Sequence, residues 1–474
     1  VRSRRQRQMC IRDRDKKNKT GKIALITVIA VAIVFGISFL PLEKWSGGAI
    51  KDFNLLSDIL PDSLLKSDST SSGEPIDPEL LKAQKDAEAV AQQLDANGQP
   101  VYSDTIMGEV KPSRQGDLVV IEDYTIGEVG LFHFKQALKS GKLARATVVG
   151  DSYIEGDIFT QDLREKLQAT YGGAGVGYVN MHSDFPGFRR SVKQGGNGWK
   201  EFAATKKGNP KYIGLSEHYF MPSGTALSTY HGVTTLAHAQ IWNVSQFLFI
   251  SPKPTTILVK TTGDWVEHPV EGSDKVQAIT VNGQTPEFDV KVSESSLIGL
   301  GVWLDGTKGV ALDCMSSRGY SGITLNKLDV DLCRQMAQYV DYDLIILEFG
   351  INAMTAKQKD YTVYSNQLVK VINHVRQCYP GADILLMGIG DRGEKSGGAV
   401  KSMSTAPFMV EAQRTAARRA HCLFWDTREA MGGEGAIVRW ASEGKANKDY
   451  IHMTHSGGAE LATRLYNALQ QKLK

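Results

Sequence analysis

The sequence predicts an α/β protein with a mainly parallel sheet, interrupted by a β-sandwich and preceded by a membrane-spanning helix. Three observations carry this. Near-continuous apolar runs such as Asp343-Leu344-Ile345-Ile346-Leu347 and Asp383-Ile384-Leu385-Leu386-Met387 alternate with helical stretches, the pattern of a parallel sheet covered on both faces. From about residue 180 to 310 helical periodicity fades and short strands dominate, which is the texture of a sandwich. Residues 23–42 run without a charge, and about twenty such residues cross a bilayer core of roughly 30 Å as a helix.

Composition sets bounds. With 474 residues, 42% hydrophobic and 23% charged, the chain has room for two or three globular domains. The net charge of +3 is concentrated near the N-terminus and supports no nucleic-acid role. Of five cysteines, Cys314, Cys333, Cys378 and Cys422 lack any close Cys/His spacing, so structural zinc is not expected. Paired or buried and reduced thiols both remain open.

In chain order, residues 1–22 carry ten Arg or Lys against two acidic residues. The chain opens on Val1 and its first methionine is Met9, which leaves open whether all of this basic lead is native. The basic flank before 23–42 predicts a cytoplasmic N-terminus with the remainder on the far side of the membrane. A cleaved signal peptide competes, but its apolar core usually runs about 7–15 residues. Residues 43–115 read as a polar spacer, loosest at Ser67-Asp68-Ser69-Thr70-Ser71-Ser72-Gly73. Within it Asp77-Pro78 can start a helical stalk that Asn97-Gly98 ends.

The α/β part is expected over 116–179 and 311–474. A helix around Phe132 to Leu138 leads to the strand Thr147-Val148-Val149 and the turn Gly150-Asp151-Ser152. Phe159, Leu163 and Leu167 then mark an apolar helix face. That places Ser152 at the carboxyl edge of the sheet, with its N–H at the positive end of the next helix. The cluster Gly172-Gly173-Ala174-Gly175-Val176-Gly177 lacks phosphate-loop spacing and reads as a turn.

The insert, 180–310, is expected to hold strands at 246–250, 256–260 and 278–281, the last followed by a hairpin pair Asn282-Gly283. Trp199, Tyr219, Trp242, Trp265 and Trp303 could form a sugar-stacking surface, although such residues more often fill a sandwich core. After it come the strand Leu423-Phe424-Trp425, helices around 364–375 and 410–419, and a closing helix marked by Leu461, Leu465 and Leu469.

Three further blocks supply what a nucleophilic Ser152 needs. Arg318-Gly319-Tyr320 offers a glycine N–H just after the insert, and Gly322 lies close by as a substitute. Glu348-Phe349-Gly350-Ile351-Asn352 follows a buried strand and brings the Asn352 amide to the same edge as an oxyanion donor. Asp449-Tyr450-Ile451-His452 supplies an imidazole base with a carboxylate to fix its tautomer.

These four blocks, in this order, resemble the SGNH/GDSL hydrolase family over about half the chain. The resemblance implies a three-layer αβα sandwich around a flavodoxin-like parallel sheet. It implies Ser152 as nucleophile, His452 as base and Asp449 as its orienting acid, with the Ser152 and Gly319 N–H groups and the Asn352 side chain as oxyanion hole. No metal or cofactor is required. GDSY stands where the family's usual name has GDSL, a variation common among its esterases of cell-surface sugars.

Neighbouring residues are weighed against this set. His455 reads as a cap or surface residue. Glu155 and Asp157 read as favouring a helix start. Asp391-Arg392 faces the expected cleft, with Arg392 either binding an anionic group or ion-paired. His182 and Asp184 can pair, though nothing in the sequence fixes them.

The anchor and the β insert make the chain similar to envelope carbohydrate O-acetylesterases of the family. The expected function is therefore removal of O-acetyl groups from a cell-envelope polysaccharide or peptidoglycan through an acyl-serine. The segments LIILEFGINAM, LLMGIGDRGEKSGG and DYIHMTHSGGAELA also look like SGNH partners of a membrane-bound O-acyltransferase, which implies acetyl transfer to exported glycans as the alternative. A non-catalytic cell-wall glycan-binding protein is the third reading.

Overall fold

The computed structural model describes residues 110–205 and 210–474. The basic lead, the expected membrane helix at 23–42 and almost all of the spacer lie outside those residues. Among the described residues no helix is long and apolar enough to cross a membrane.

In chain order, β1 (Glu122–Asp123) and α1 (Phe132–Lys139) precede β2 (Leu143–Gly150), and α2 (Thr160–Tyr171) follows it. An all-β region comes next. It comprises β3 (Gly175–Val179), β4 (Lys193–Ala203), β5 (His218–His231), β6 (Trp242–Ser251), β7 (Thr255–Lys260), β8 (Val266–Val270), β9 (Ser273–Thr285), β10 (Glu287–Val292) and β11 (Ile298–Asp305). The α/β pattern then resumes with β12 (Gly309–Ser316), α3 (Val330–Ala337), β13 (Leu344–Glu348), α4 (Thr362–Cys378) and β14 (Asp383–Met387). A small hairpin, β15 (Gly393–Ser396) and β16 (Ala399–Ser402), precedes α5 (Ala406–Arg419) and β17 (Leu423–Trp425). Three helices close the chain: α6 (Thr427–Met431), α7 (Ala436–Ser442) and α8 (His455–Leu473).

The central sheet has the order β12-β2-β13-β14-β17-β1, parallel throughout except for the edge strand β1. Its inner strands are apolar because both faces are covered; every residue of β13 is buried. Helices α2 and α8 pack together, as do α4 and α5. Right-handed crossovers on the two sides of β2 send these pairs to opposite faces, giving three layers. Strand order reverses at β2, the switch point at which α/β sheets open a crevice.

The all-β region forms two leaves. One runs β9-β6-β11-β3 and the other β8-β7-β10-β5-β4, and they join where Gly299 pairs with Phe220. Between them lies a separate core that includes Phe220, Tyr230, Trp242, Phe247, Phe249, Phe288 and Val302. The first leaf is buried on its other face too. Leu248, Ile250, Leu300 and Trp303 belong to the core of the α/β part. A bulge between Gly299 and Gly301 switches the parity of β11, so Ile298 and Leu300 point one way with Trp303, and Val302 and Leu304 the other.

A buried polar hub fastens this leaf to the sheet. Arg145 on β2 pairs with Asp305 at 2.6 Å and Asp313 at 3.1 Å. Asp313 also accepts from Trp303 Nε1 at 2.8 Å, Tyr342 Oη at 2.7 Å and the Tyr178 N–H at 3.1 Å. A buried carboxylate beside one cation persists only with donors of this number.

Three sequence expectations change, and one open choice is decided. The glycine cluster is a turn only as far as Ala174, since β3 starts at Gly175. Asn282-Gly283 makes no hairpin: β9 continues through it with a bulge between Asn282 and Thr285, and β10 pairs with β5 and β7 instead. Trp199, Tyr219, Trp242 and Trp303 are buried, and Lys291 lies over the half-buried Trp265 ring. The four buried rings fill cores, the use such residues more often have in a sandwich. Lastly, α2 begins at Thr160, after a turn and the short 3-10 segment Glu155–Asp157. Its positive end is therefore not at Ser152.

Candidate active site

Three strands deliver three of the blocks at one level. Gly150 at the end of β2 is in register with Ser316 of β12 on one side and Glu348 of β13 on the other. Ser152, Gly319 and Asn352 follow these three residues by two to four positions, so the sheet itself gathers them at its carboxyl edge. The fourth block arrives on the loop before α8. That loop is held by the Ala446–Met453 bridge and by Asn447 N–H donating to the His452 carbonyl at 2.8 Å.

Ser152 Oγ lies 2.8 Å from His452 Nε2, and His452 Nδ1 lies 2.8 Å from Asp449 Oδ2. The other carboxylate oxygen of Asp449 accepts the N–H groups of Ile451 and His452 at 2.9 and 3.1 Å. Burial pushes the Asp449 carboxyl up, but the bonds from the His452 ring and the two N–H groups outweigh it and hold it below its ordinary value. An ionised Asp449 places the imidazole proton on Nδ1 and leaves Nε2 to accept from Ser152. The arrangement is a proton relay from hydroxyl to imidazole, with a carboxylate holding the ring.

Asn352 Nδ2 donates to Asp151 Oδ2 at 3.0 Å and to the Tyr320 carbonyl at 2.9 Å. Two acceptors around one terminal atom require that atom to be the nitrogen. Both amide protons are thus engaged, one on each neighbouring block. Asp151 also accepts the Tyr153 N–H at 2.9 Å, which shapes the turn at the nucleophile. Tyr153, the residue that makes the motif GDSY, is buried with its hydroxyl 3.2 Å from Met431 Sδ. Beneath the turn, burial first and the Asp151 charge second raise Glu348 well above an ordinary carboxyl.

Gly319 sits at φ +79°, partly open, with nothing within 4 Å of a built Cβ. Gly322, the alternative, is buried, and a Cβ there would lie 2.7 Å from the Phe349 ring. Gly322 is packed against Phe349, whereas Gly319 has open space beside it.

The neighbouring residues are all engaged. Glu155 pairs with Arg318. Asp157 is buried and pairs with Arg164 through both oxygens at 2.8 and 3.0 Å, so it anchors the segment rather than serving a helix terminus. His455 is the first residue of α8 and lies 3.3 Å from Gln161, while Thr454 is the cap. Arg392 is buried and donates to the Ile351 carbonyl at 2.6 Å, steadying the Asn352 segment. Asp391 is bound by Ser402, Arg428 and the Ile437 N–H. His182 and Asp184 do pair, at 3.2 Å on the surface. Among the described residues no cluster of His, Cys, Asp or Glu could hold a metal.

Sequence reasoning missed the contribution of the β region. His218 on β5 places Nε2 3.1 Å from Ser317 Oγ, and its Nδ1 lies 2.9 Å from Glu201. Thr205 Oγ1 donates to Tyr320 Oη at 2.7 Å, and Thr324 bonds Glu217. Residues flanking Gly319 are therefore braced by the insert. No local signal marks these contacts, which span about a hundred positions. Ser317 is buried in the turn that carries Gly319, and its bond to His218 braces that turn.

The comparisons with known proteins follow this geometry. Residues 303–459 match the GDSL-like lipase/acylhydrolase family, a stretch that contains Gly319, Asn352, Asp449 and His452. No curated protein matches the chain. Among solved structures, a peptidoglycan O-acetylesterase is similar at TM-score 0.62 and 22% identity, over 74% of this chain and 99% of that one. A family two carbohydrate esterase from Cellvibrio japonicus has 11% identity and TM-score 0.26, covering 60% of this chain and 98% of its own. A salicylyl-acyltransferase from a tetracycline biosynthetic pathway has 13% identity and TM-score 0.27 over 60% and 98%. Scores that low carry no argument. The fold and the family match over residues 303–459 agree with the four blocks, and together they support an ester hydrolase of the SGNH/GDSL family.

Proposed function

We propose that this chain is an envelope-bound O-acetylesterase that removes acetyl groups from a polysaccharide or peptidoglycan. The observation that carries the reading is the Ser152–His452–Asp449 relay, with both links at 2.8 Å, at the edge where Gly319 and Asn352 also arrive. Ser152 Oγ attacks the ester carbonyl as His452 Nε2 takes its proton, and Asp449 stabilises the resulting imidazolium. The oxyanion is held by the Ser152 and Gly319 N–H groups and by Asn352, which turns one proton from the Tyr320 carbonyl. His452 returns its proton to the departing sugar oxygen, leaving acetyl-Ser152. Water then gives a proton to His452 and attacks the acyl carbon, and acetate leaves as His452 returns that proton to Ser152 Oγ.

The glycan part of the reading draws on similarity to a peptidoglycan O-acetylesterase that extends over 99% of that protein. The envelope part draws on the uncharged run 23–42 behind a basic lead. Residues 23–42 would hold the chain in the membrane with the catalytic part on the outer side.

The test is hydrolysis of p-nitrophenyl acetate and of O-acetylated peptidoglycan by the wild-type protein, Ser152→Ala and His452→Ala. Both substitutions should lower kcat at least about a thousandfold. Equal activity in all three overturns the serine mechanism. Acetyl recovered on an added oligosaccharide rather than as free acetate replaces hydrolysis with transfer, and a membrane-bound O-acyltransferase would then be the expected donor.

A further inference from the structure

The loop between β3 and β4 carries exposed aromatic rings, one of them against the segment that follows the serine. Phe185 is 78% exposed and Phe188 46%. The tryptophans of the β region are mostly buried, so Phe185 and Phe188 are its exposed aromatic rings among the described residues. The loop is built into that turn. Gly156, four residues after Ser152, approaches so closely that a built Cβ would lie 2.6 Å from the Phe188 ring. Arg189 donates to the Tyr178 and Val176 carbonyls at 2.7 and 3.1 Å and lies 3.4 Å from Asp157. Ser191 donates to the same Asp157. The turn itself closes with Phe188 N–H donating to the Phe185 carbonyl at 3.0 Å.

The next residue supplies charge. Arg190 is exposed and makes no ion pair among the described residues. Its charge reaches His455, three residues past His452, where it adds to burial in lowering that imidazole. One neighbour of the loop thus follows the nucleophile and the other follows the base. Asp184, the loop's own carboxylate, is taken by His182 at 3.2 Å.

We propose that residues 182–190 form the glycan subsite of this esterase and that it selects an acidic glycan. Phe185 and Phe188 stack on the C–H face of a sugar ring, and Arg190 pairs with a carboxylate near the acylated residue. This rests on the ester-hydrolase reading for its purpose but not for its test. A surface made only of rings would accept neutral glycans equally; the unpaired guanidinium makes the choice.

The test uses the full chain carrying Ser152→Ala, titrated calorimetrically with hexagalacturonate and with neutral cellohexaose. The acidic probe should bind roughly tenfold tighter, a preference of about 1.4 kcal/mol, and should weaken with added salt. Arg190→Gln should abolish the preference. Phe185→Ala should weaken both probes about fivefold; it is chosen because Phe188 packs on Gly156. Equal affinity for the two probes, no binding of either, or wild-type affinity in Arg190→Gln overturns the proposal. So does Phe185-dependent binding to anionic phospholipid vesicles without glycan binding, which makes the loop a membrane contact. Wild-type inactivity on p-nitrophenyl acetate would sink the esterase reading and leave the binding result standing.

Discussion

The His218–Ser317 brace lets the part played by the β region in catalysis be measured. His218→Ala removes the partner of Ser317 Oγ, which is 3.1 Å from the ring and buried. A buried hydroxyl left unpaired costs about 1–3 kcal/mol, and the turn bearing Gly319 can shift to recover it. A second brace, Thr205 on Tyr320 at 2.7 Å, remains in place. We therefore expect about 1.4 kcal/mol of this cost to appear at the oxyanion site. That is about a tenfold fall in kcat, with KM for p-nitrophenyl acetate little changed. Glu201 is partly exposed and can be hydrated, so losing its histidine adds little. Ser317→Ala in the His218→Ala background removes both partners, and such a pair is close to neutral. The double variant should regain activity to within about threefold of wild type. Steady-state kinetics on all three proteins, with melting curves to confirm folding, decide the matter. The reasoning is wrong if His218→Ala stays within twofold of wild type, or if the double variant is no better than the single.

Two other predictions concern stability. Asp157→Asn leaves Arg164 buried without its charge partner, which costs about 3–5 kcal/mol and should lower Tm by roughly 4–6 °C for a unit of this size. Asparagine tolerates the φ of +64° at this position, so the loss reports charge rather than backbone strain. Burial raises the Asp157 carboxyl, but Arg164 and Arg189 together bring it below its ordinary value. Its contribution is therefore present above the ordinary carboxylate pKa of about 4 and is lost as pH falls through the lower folded value. The Tm gap between wild type and Asp157→Asn should accordingly narrow from pH 6 to pH 3, and a constant gap contradicts the assignment. Separately, the Cys333 and Cys378 thiols are hydrogen-bond partners on α3 and α4, and their contact lowers Cys378. Oxidised glutathione should join this pair, costing two thiols per chain, and Cys378→Ala should block it. Undiminished thiol counts after oxidation and unfolding would refute the pairing.

The α/β half was legible because its strands are buried on both faces and its helices are long. The runs at 343–347 and 383–387 and the closing leucines at 461, 465 and 469 each lie in or overlap the element expected of them. Three of the four chemical blocks were legible because each follows a strand end, and parallel register turns strand ends into neighbours; the fourth was legible from its Asp-x-x-His spacing just before the closing helix. What escaped was set by distance or by local competition. Phe247 and Leu248 are equally apolar, so nothing in the sequence says that they enter different cores. Asn282-Gly283 has hairpin composition, but β6 continues alongside to Trp242 and holds it as a bulge. Ser152 reads as a helix start, yet Asp157, drawn inward by Arg164, inserts a separate turn first. His218 and Thr205 carry no signature, since their meaning depends on a turn about a hundred residues away.

The leaf that serves two cores also bears on how the chain assembles. Strands β2 and β12 must pair although nearly the whole β region separates them, and closing so long a loop carries an entropic cost. The antiparallel pairing of β3 with β11 brings Tyr178 beside Trp303, a few residues from where each flanking segment enters the α/β part. Once those two strands meet, only short tethers remain to be closed before β12 finds β2. The insert is therefore a clasp as well as a passenger: excising it at its apparent boundaries would remove what draws the nucleophile strand to its partner.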